Sequence, residues 1–175
     1  MRNQDILENQ AKIVYLGIGS NLGNRKKNIE KAKSLLNINN LKLLNSSSYY
    51  ETLSWPNVKF PKFLNIVIKI KTHLSLVDLF NFIKSIEKKI GRKEQPKNHP
   101  RLCDIDILDY DQEIYTLKKD LIEITVPHPR MNRRNFVLIP LFEINKNWYH
   151  PKLRLNIVNL LLKLNNVNLS SIKFF

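Results

Sequence analysis

Apolar and polar positions change period several times along the chain. Residues 12–18, KIVYLGI, are an apolar run rich in β-branched and aromatic side chains, and predict a buried strand ending at Gly19. Beyond the loop GSNLGN (19–24), Ile29, Ala32 and Leu36 recur on one face of a helix over 25–36. LKLLNSSSYY (41–50) predicts a second strand, and the two prolines in ETLSWPNVKFP (51–61) a loop. FLNIVIKIKT (63–72) alternates as a third strand. Ser75 followed by Asp78 is a capping-box signature, and apolar residues at 76, 79, 80, 83, 86 and 90 mark a long amphipathic helix stopped by Gly91. The polar loop RKEQPKNHP (92–100) offers little to anchor it, predicting a mobile segment. It leads to RLCDIDILDY (101–110), where carboxylate and aliphatic positions alternate as in a strand. A turn at Asp111-Gln112, a further strand to Val126, a short helix over 132–143 and an apolar helix over 153–164 complete the pattern.

The order β-α-β-β-α-β, with additional strands and C-terminal helices, predicts an α+β fold: a ferredoxin-like three-layer αβα sandwich with a mostly antiparallel central sheet. At 175 residues one domain is expected over 1–175, with a core over 11–145 and a C-terminal extension over 146–175. No apolar run approaches the roughly 20 residues of a membrane span. The opening MRNQDILENQ lacks the apolar centre of a signal peptide, and a single cysteine precludes an internal disulfide; both point to the cytoplasm.

Charge changes the picture less than its size suggests. The chain carries 29 Lys+Arg against 15 Asp+Glu, a net charge of +14, which suits either nucleic acid or a polyanionic substrate. The lysines are dispersed, and Lys, Asn and Ile abound beside only 4 glycines, as AT-rich coding drift produces. The arginines are the more informative cations.

With carboxylates this scarce, Asp104 and Asp106 stand out. Alternation places them on one face of the strand, roughly 6–7 Å apart at Cα, while Cys103, Ile105 and Ile107 take the core face. Cys103 then reads as a small buried hydrophobe rather than a nucleophile. Two like charges so close repel, and a divalent cation relieves the repulsion; Mg²⁺ suits one or two carboxylates completed by substrate phosphates. Arg92 follows the helix-stop Gly91 and Arg101 precedes the carboxylates, with a polar loop between them, and VPHPRMNRRNF (126–136) adds His128, Arg130, Arg133 and Arg134. Guanidinium groups clamp phosphate in two-pronged fashion, and metal with guanidinium is the recurring equipment of phosphoryl transfer. No G-x-x-x-x-G-K-[ST] loop is present, and Gly17, Gly19 and Gly23 fall out of register for a dinucleotide fingerprint, so they read as a tight strand-to-helix turn.

Helical geometry singles out Glu87. Eleven residues beyond Leu76, it lies only about 20° from it around the axis, in the centre of the apolar stripe. A lone carboxylate there carries a desolvation penalty of several kcal/mol unless paired. The expectation is that Glu87 holds a phosphate-binding arginine such as Arg101 or Arg134, the plainer alternative being a charge that emerges at a helix end.

YLGIGSNLGN, SSYYET, FLN, IEKKIGR, PRLCDIDIL and VPHPRMNRRNFVLIPLFEI, in this order over about residues 13–144, resemble the 6-hydroxymethyl-7,8-dihydropterin pyrophosphokinase family of folate biosynthesis. The resemblance implies transfer of pyrophosphate from ATP to the pterin hydroxymethyl oxygen, release of AMP, and two Mg²⁺. It implies that Asp104 and Asp106 hold the metals and that Arg92 and Arg101 are catalytic on a closing loop. Lys84, Glu87, Arg92, Arg101, Ile107, Thr125, His128 and Arg134 are implied at the ATP site. Thr52, Leu53, Phe63, Asn65, Asn98 and Phe136 are implied around the pterin, with Asn65 hydrogen-bonding it and Phe136 stacking on it. The chain departs from the family pattern at His99 (Gly or Ala), Asn98 (Trp in some members), Lys84 (Gln) and Leu53-Ser54 (a proline-containing loop).

A monomer that binds neither nucleic acid nor membrane is expected. An RNA-binding module on the same layered fold needs aromatics on a sheet face, in a pattern no strand here carries. A two-metal nucleotidyl transferase would also use paired aspartates. Asn65 and Phe136 separate these readings, because a pterin needs a planar slot with an amide.

Overall fold

The computed structural model describes residues 10–37, 41–93, 96, 98–119, 122–164 and 171–175. The polar N-terminal leader and residues 94, 95 and 97 of the loop after Gly91 lie outside them, and with them the expectation of a mobile segment there.

The strand β1 (Lys12–Ser20) runs past the apolar stretch because Gly19 and Ser20 continue to pair with Asn65 and Leu64. It lies between β4 (Phe63–Thr72) and β5 (Asp104–Tyr110), antiparallel to both. Buried on both faces, β1 reads as a continuous apolar run rather than an alternating one. The predicted strand over 41–50 divides into β2 (Leu41–Ser46) and β3 (Tyr50–Thr52), which pair with opposite ends of β4. Between them Ser47 takes over the pairing: its N–H donates to the Val67 carbonyl at 2.9 Å, and its hydroxyl accepts from Val67 N at 3.0 Å.

Helix α1 (Arg25–Leu36) starts where the Asn24 side chain accepts from Lys27 N at 3.0 Å. Helix α2 (Leu76–Ile90) has the predicted cap: Ser75 Oγ accepts from Asp78 N at 3.1 Å and donates to the Asp78 carboxylate at 2.6 Å. Gly91, with φ 108°, ends it in the left-handed region that glycine enters without penalty. α1 and α2 bury Ile29, Ala32, Leu36, Leu79, Ile83 and Ile86 against one face of the sheet. Each of the leucine and isoleucine side chains contributes roughly 1.5–3 kcal/mol on leaving water.

The other face is covered by α3 (Asn135–Ile144), entered through a tight 3-10 turn at Met131–Arg133, and by α4 (Ile157–Leu162). Here Tyr15, Val67 and Leu108 pack with Leu138, Leu141, Trp148 and Ile157. The predicted helix over 153–164 is shortened because β8 (Tyr149–His150) and β9 (Leu155–Asn156) form a small ladder first; Asn156 then caps α4 by accepting from Asn159 N at 2.8 Å. The expected single strand up to Val126 is a hairpin, β6 (Tyr115–Lys119) with β7 (Ile122–Val126). Asp111 and Gln112 make the predicted turn with φ of 52° and 60°. Strand β10 (Ile172–Phe174) closes the sheet beside β3, giving the order β10–β3–β4–β1–β5 with β2 also on β4. The result is an α+β fold with a mostly antiparallel sheet, as its alternation predicts.

Candidate active site

Strand register assembles the site. Gly19 of β1 pairs with Asp104 on one side and Asn65 on the other, and Gly17 pairs with Asp106. Directly paired residues share a face, so Asn65, Gly19 and Asp104 form one row across three strands. The two end residues are separated by two strand spacings, about 10 Å. A Cβ on Gly19 would come within 2.9 Å of Asn65 Oδ1 and 3.4 Å of the Phe63 ring. Gly17 and Gly19 are therefore strand residues that leave a lane without β1 side chains between an amide and a carboxylate pair; the Asn65 amide and the Phe63 ring close over Gly19, and Leu108 packs beside Gly17. Only Gly23, with φ 64°, serves the turn expected of all three.

On one side of the lane lies an ion cluster. Asp104 and Asp106 are partly exposed, while Cys103, Ile105 and Ile107 are buried in the first core. Burial pushes the Cys103 thiol up to about 12, in keeping with an inert core position. Arg92 donates to Asp104 Oδ1 at 2.6 Å and Arg101 to Asp104 Oδ2 at 3.0 Å. Arg134 donates to Asp106 Oδ2 at 3.2 Å, and His128 Nε2 stands 3.8 Å from the same oxygen. Burial opposes the Asp104 charge, but the Arg101 and Arg92 guanidinium groups and the Lys84 ammonium hold its carboxyl below the usual range. Burial, aided by Arg134 and Arg130, holds His128 below its ordinary value against the pull of Asp106. Its Nδ1 accepts from Arg130 N at 3.1 Å, so the neutral ring carries its proton on Nε2, towards Asp106.

Glu87 is buried at 2% exposure, as its place in the apolar stripe requires. It is fully paired: Oε1 accepts from Ile105 N at 2.8 Å and from Arg92, and Oε2 from Lys84 Nζ at 2.8 Å. The expected partner, Arg101 or Arg134, is corrected to Arg92. The cause is local: Gly91 turns the chain back so that Arg92 N donates to the Glu87 carbonyl at 3.0 Å, which returns the arginine to the last turn of α2. Glu87 thus bonds both a strand N–H beside Asp104 and the arginine that reaches Asp104.

On the other side of the lane, Asn65 is buried and its amide donates to Thr52 Oγ1 at 3.0 Å, with Phe63 at the strand start and Leu53 exposed beyond. Phe136, at the start of α3, is half-buried beneath the Arg134 guanidinium, 5.4 Å from its ring centre. Asn98 is exposed with φ 67°, and its neighbour His99 packs on Phe60 at 5.6 Å between ring centres.

Ile107 and Thr125 stand apart from the cluster. The Ile107 side chain lies in the first core, and Thr125 pairs with Thr116 on the β6–β7 hairpin. Arg130 and Arg133 are exposed. Sequence reasoning missed Asn21, which is 2% exposed. Its Oδ1 accepts from Arg101 N at 2.7 Å, and its amide donates to Ser54 Oγ at 3.2 Å and the Pro61 carbonyl at 3.1 Å. It joins the arginine segment to the 53–61 loop. The only signal for it was an amide directly after an apolar strand.

Hard oxygen donors fit a magnesium ion, and Asp104 and Asp106 supply two carboxylates on one face. No group of three or more His, Cys, Asp or Glu able to hold a metal occurs among the described residues, so substrate oxygens would have to complete the shell. The fold and this cluster together define a class: an α+β protein with a carboxylate pair ringed by arginines, equipped to handle phosphates.

Comparison with known proteins narrows the class. Residues 15–146 match the family described as 7,8-dihydro-6-hydroxymethylpterin-pyrophosphokinase. The chain is 42% identical over 142 residues to the 2-amino-4-hydroxy-6-hydroxymethyldihydropteridine pyrophosphokinase of Aquifex aeolicus, covering 79% of this chain and 83% of that one. To the enzyme of the same name from Porphyromonas gingivalis it is 36% identical, covering 80% and 95%. A folic acid synthesis protein of Dictyostelium discoideum is 38% identical, but the chain spans 23% of its length. In fold, an HPPK-DHPS protein of Plasmodium falciparum solved with pteroate aligns over 95% of this chain and 47% of that one, with a TM-score of 0.74 at 15% identity. The chain belongs to the 7,8-dihydro-6-hydroxymethylpterin-pyrophosphokinase family, transferases of folate synthesis.

Proposed function

We propose that this chain transfers pyrophosphate from ATP to the hydroxymethyl oxygen of 6-hydroxymethyl-7,8-dihydropterin, releasing AMP, across the glycine lane of β1. The observation that carries the reading is the row Asn65–Gly19–Asp104. It sets an amide suited to a planar heterocycle about 10 Å from a carboxylate pair, room for an acceptor hydroxyl to meet a bound triphosphate.

Asp104 and Asp106 are the residues that would hold magnesium, in two ions. Bound there, the metal would neutralise and orient the phosphate oxygens. Arg92, Arg101 and Arg134 sit on those carboxylates and exchange them for phosphate oxygens when nucleotide enters, a shift between two anionic partners at short range. Glu87 keeps Arg92 aimed during that exchange, and Lys84 neutralises the second Glu87 oxygen. His128, neutral with its proton on Nε2, is a donor to phosphate or ribose. Thr52, Leu53, Phe63, Asn65 and Phe136 form the pterin slot. Asn98 borders it, Ile107 can offer backbone rather than side chain, and Thr125 would reach the nucleotide from the hairpin.

The frame is read as ferredoxin-like, supported by the strand order β2–β4–β1–β5 with each neighbouring pair antiparallel, the pattern of two split βαβ units. One domain over 1–175 is supported by the packing of Trp148, Ile157, Leu160 and Leu164 into the second core. A monomer of the cytoplasm completes the reading; among the described residues no helix is long and apolar enough to cross a membrane.

Phosphorus NMR of the protein with ATP, magnesium and the reduced hydroxymethylpterin tests the reaction. AMP and a pyrophosphorylated pterin should appear in equal amounts. ADP with a monophosphorylated pterin would contradict it.

A further inference from the structure

The family match ends at residue 146, yet the pterin side of the site is bounded by residues beyond it. Strand β10 pairs with β3 in the register Ile172↔Thr52, Lys173↔Glu51 and Phe174↔Tyr50, and Phe175 N donates to the Tyr49 carbonyl at 2.9 Å. Immediately before β10, Ser171 Oγ accepts from Asn135 Nδ2 at 3.0 Å. The buried Asn135 in turn accepts from Phe136 N at 2.7 Å. Opposite Ile172, Thr52 Oγ1 accepts from Asn65.

These contacts form a connected path from the Phe136 backbone through Asn135, Ser171, Ile172 and Thr52 to Asn65. The two walls of the slot come from different elements, α3 on one side and β3 with β4 on the other. At its far end α3 is tied to the run before β3 by Glu143, which accepts from Ser48 N at 3.0 Å, Ser48 Oγ at 2.7 Å and Tyr50 OH at 3.0 Å. At the slot end the tie is the Asn135–Ser171 bond. A helix held at both ends against a strand cannot tilt, so the spacing of Phe136 from Asn65 is fixed before a ligand arrives.

We propose that β10 is a strap that sets the width of the slot for a planar pterin-like heterocycle, with Ser171 as its positioning residue. The proposal rests on the reading of that slot as the pterin site, and it leaves the arginine–carboxylate side untouched.

Calorimetry on the full chain separates the possibilities, with 6-hydroxymethylpterin and a non-hydrolysable ATP analogue titrated separately. Ser171→Ala should weaken pterin binding by about three- to tenfold, the worth of one positioning hydrogen bond, with the analogue bound as before. In turnover the loss should fall on KM for the pterin and spare kcat. Ser171→Thr, which keeps the hydroxyl, should restore binding. Unaltered pterin affinity in Ser171→Ala overturns the proposal. So does an equal loss for both ligands with a lowered melting temperature, which would mark general loosening. If the unaltered chain itself does not bind the pterin while still binding the analogue, the slot reading fails and the strap with it.

Discussion

Strand β5 carries aspartates at both of its ends, on one face of one sheet, and they have opposite fates. Asp104 and Asp106 are partly exposed and meet Arg92, Arg101 and Arg134. Asp109 is 1% exposed and, among the described residues, bonds only groups without charge: Trp148 Nε1 donates to it at 2.7 Å, Gln112 N at 3.0 Å, and the Gln112 side chain as well. Burial accordingly raises the Asp109 carboxyl above its usual range, against those hydrogen bonds, while the guanidinium groups lower Asp104. A shift in register between Tyr15 and Leu16 sets the difference. Tyr15 pairs with Asp109 and Leu16 with Ile107, so Leu108 is an extra residue, and both Leu108 and Asp109 turn towards the second core. Residue type on a strand is thus a poor guide to role; what covers that stretch of the face decides. At the Asp109 end Trp148 and α3 seal it, and at the Asp104 end β1 contributes only glycine and the two carboxylates stay partly exposed.

Asparagine substitutions sharpen the comparison most. Asp104→Asn or Asp106→Asn should lower pyrophosphoryl transfer by about a thousandfold or more, since several kcal/mol of charge stabilisation are lost, with folding retained. Steady-state AMP release beside a melting curve checks both halves.

Next in size is Arg92→Ala. It should depress the single-turnover transfer step by roughly a hundredfold or more while weakening ATP binding far less, because its charge acts where negative charge develops. An equal loss in affinity with an unchanged single-turnover rate would make Arg92 a binding residue only.

Glu87→Gln keeps shape and one acceptor but removes the charge that aims Arg92. A loss of about tenfold in transfer is expected, with little change in stability. Glu87→Leu takes the carboxylate from the Ile105 N–H and from Lys84, and leaves Arg92 with Asp104 alone. Because those cations are partly exposed, a cost nearer 2–3 kcal/mol than the upper range for a buried pair is expected in urea unfolding. A more stable, fully active Glu87→Leu would reduce Glu87 to a tolerated charge.

The smallest catalytic effect belongs to Asp109→Asn, with turnover within about twofold of the unaltered chain, as for a site remote from the chemistry. Its signature is in pH dependence. A carboxyl raised by folding binds its proton more tightly folded than unfolded. It therefore costs stability as pH climbs from the unfolded value, about 3.9, through the raised folded value. Asp109→Asn should remove that loss and gain on the unaltered chain across this window. Asp104 has the opposite sign: its stabilisation is present above about pH 4 and is lost on acidification through its lowered folded value.

The same contrast shows what the sequence makes legible. Alternation in CDIDI gives the face of Asp104 and Asp106, and helical geometry gives the inward direction of Glu87, because both depend on local periodicity alone. The partner of Glu87 depends on how the chain leaves Gly91, and no periodicity encodes that. The extra residue at Leu108 does leave a trace, since Leu108 directly after Ile107 breaks the alternation and the next aspartate falls three residues beyond Asp106, but which side chain then meets the second core depends on the pairing with β1. Gly17 and Gly19 look like turn residues in one dimension and become a lane only when β4 and β5 arrive on either side. The C-terminal helix is shorter than its apolar pattern because a local hairpin, Tyr149–His150 with Leu155–Asn156, takes up the residues just before it.

The central claim is that the Asp104–Asp106 face takes magnesium with the triphosphate while the arginines move from carboxylate to phosphate. The most direct test is titration of a non-hydrolysable ATP analogue into the unaltered chain and into Asp106→Asn, each with and without magnesium. The account predicts that magnesium strengthens binding at least about tenfold in the unaltered chain and leaves Asp106→Asn nearly indifferent to the ion. The same magnesium dependence in both proteins would contradict it.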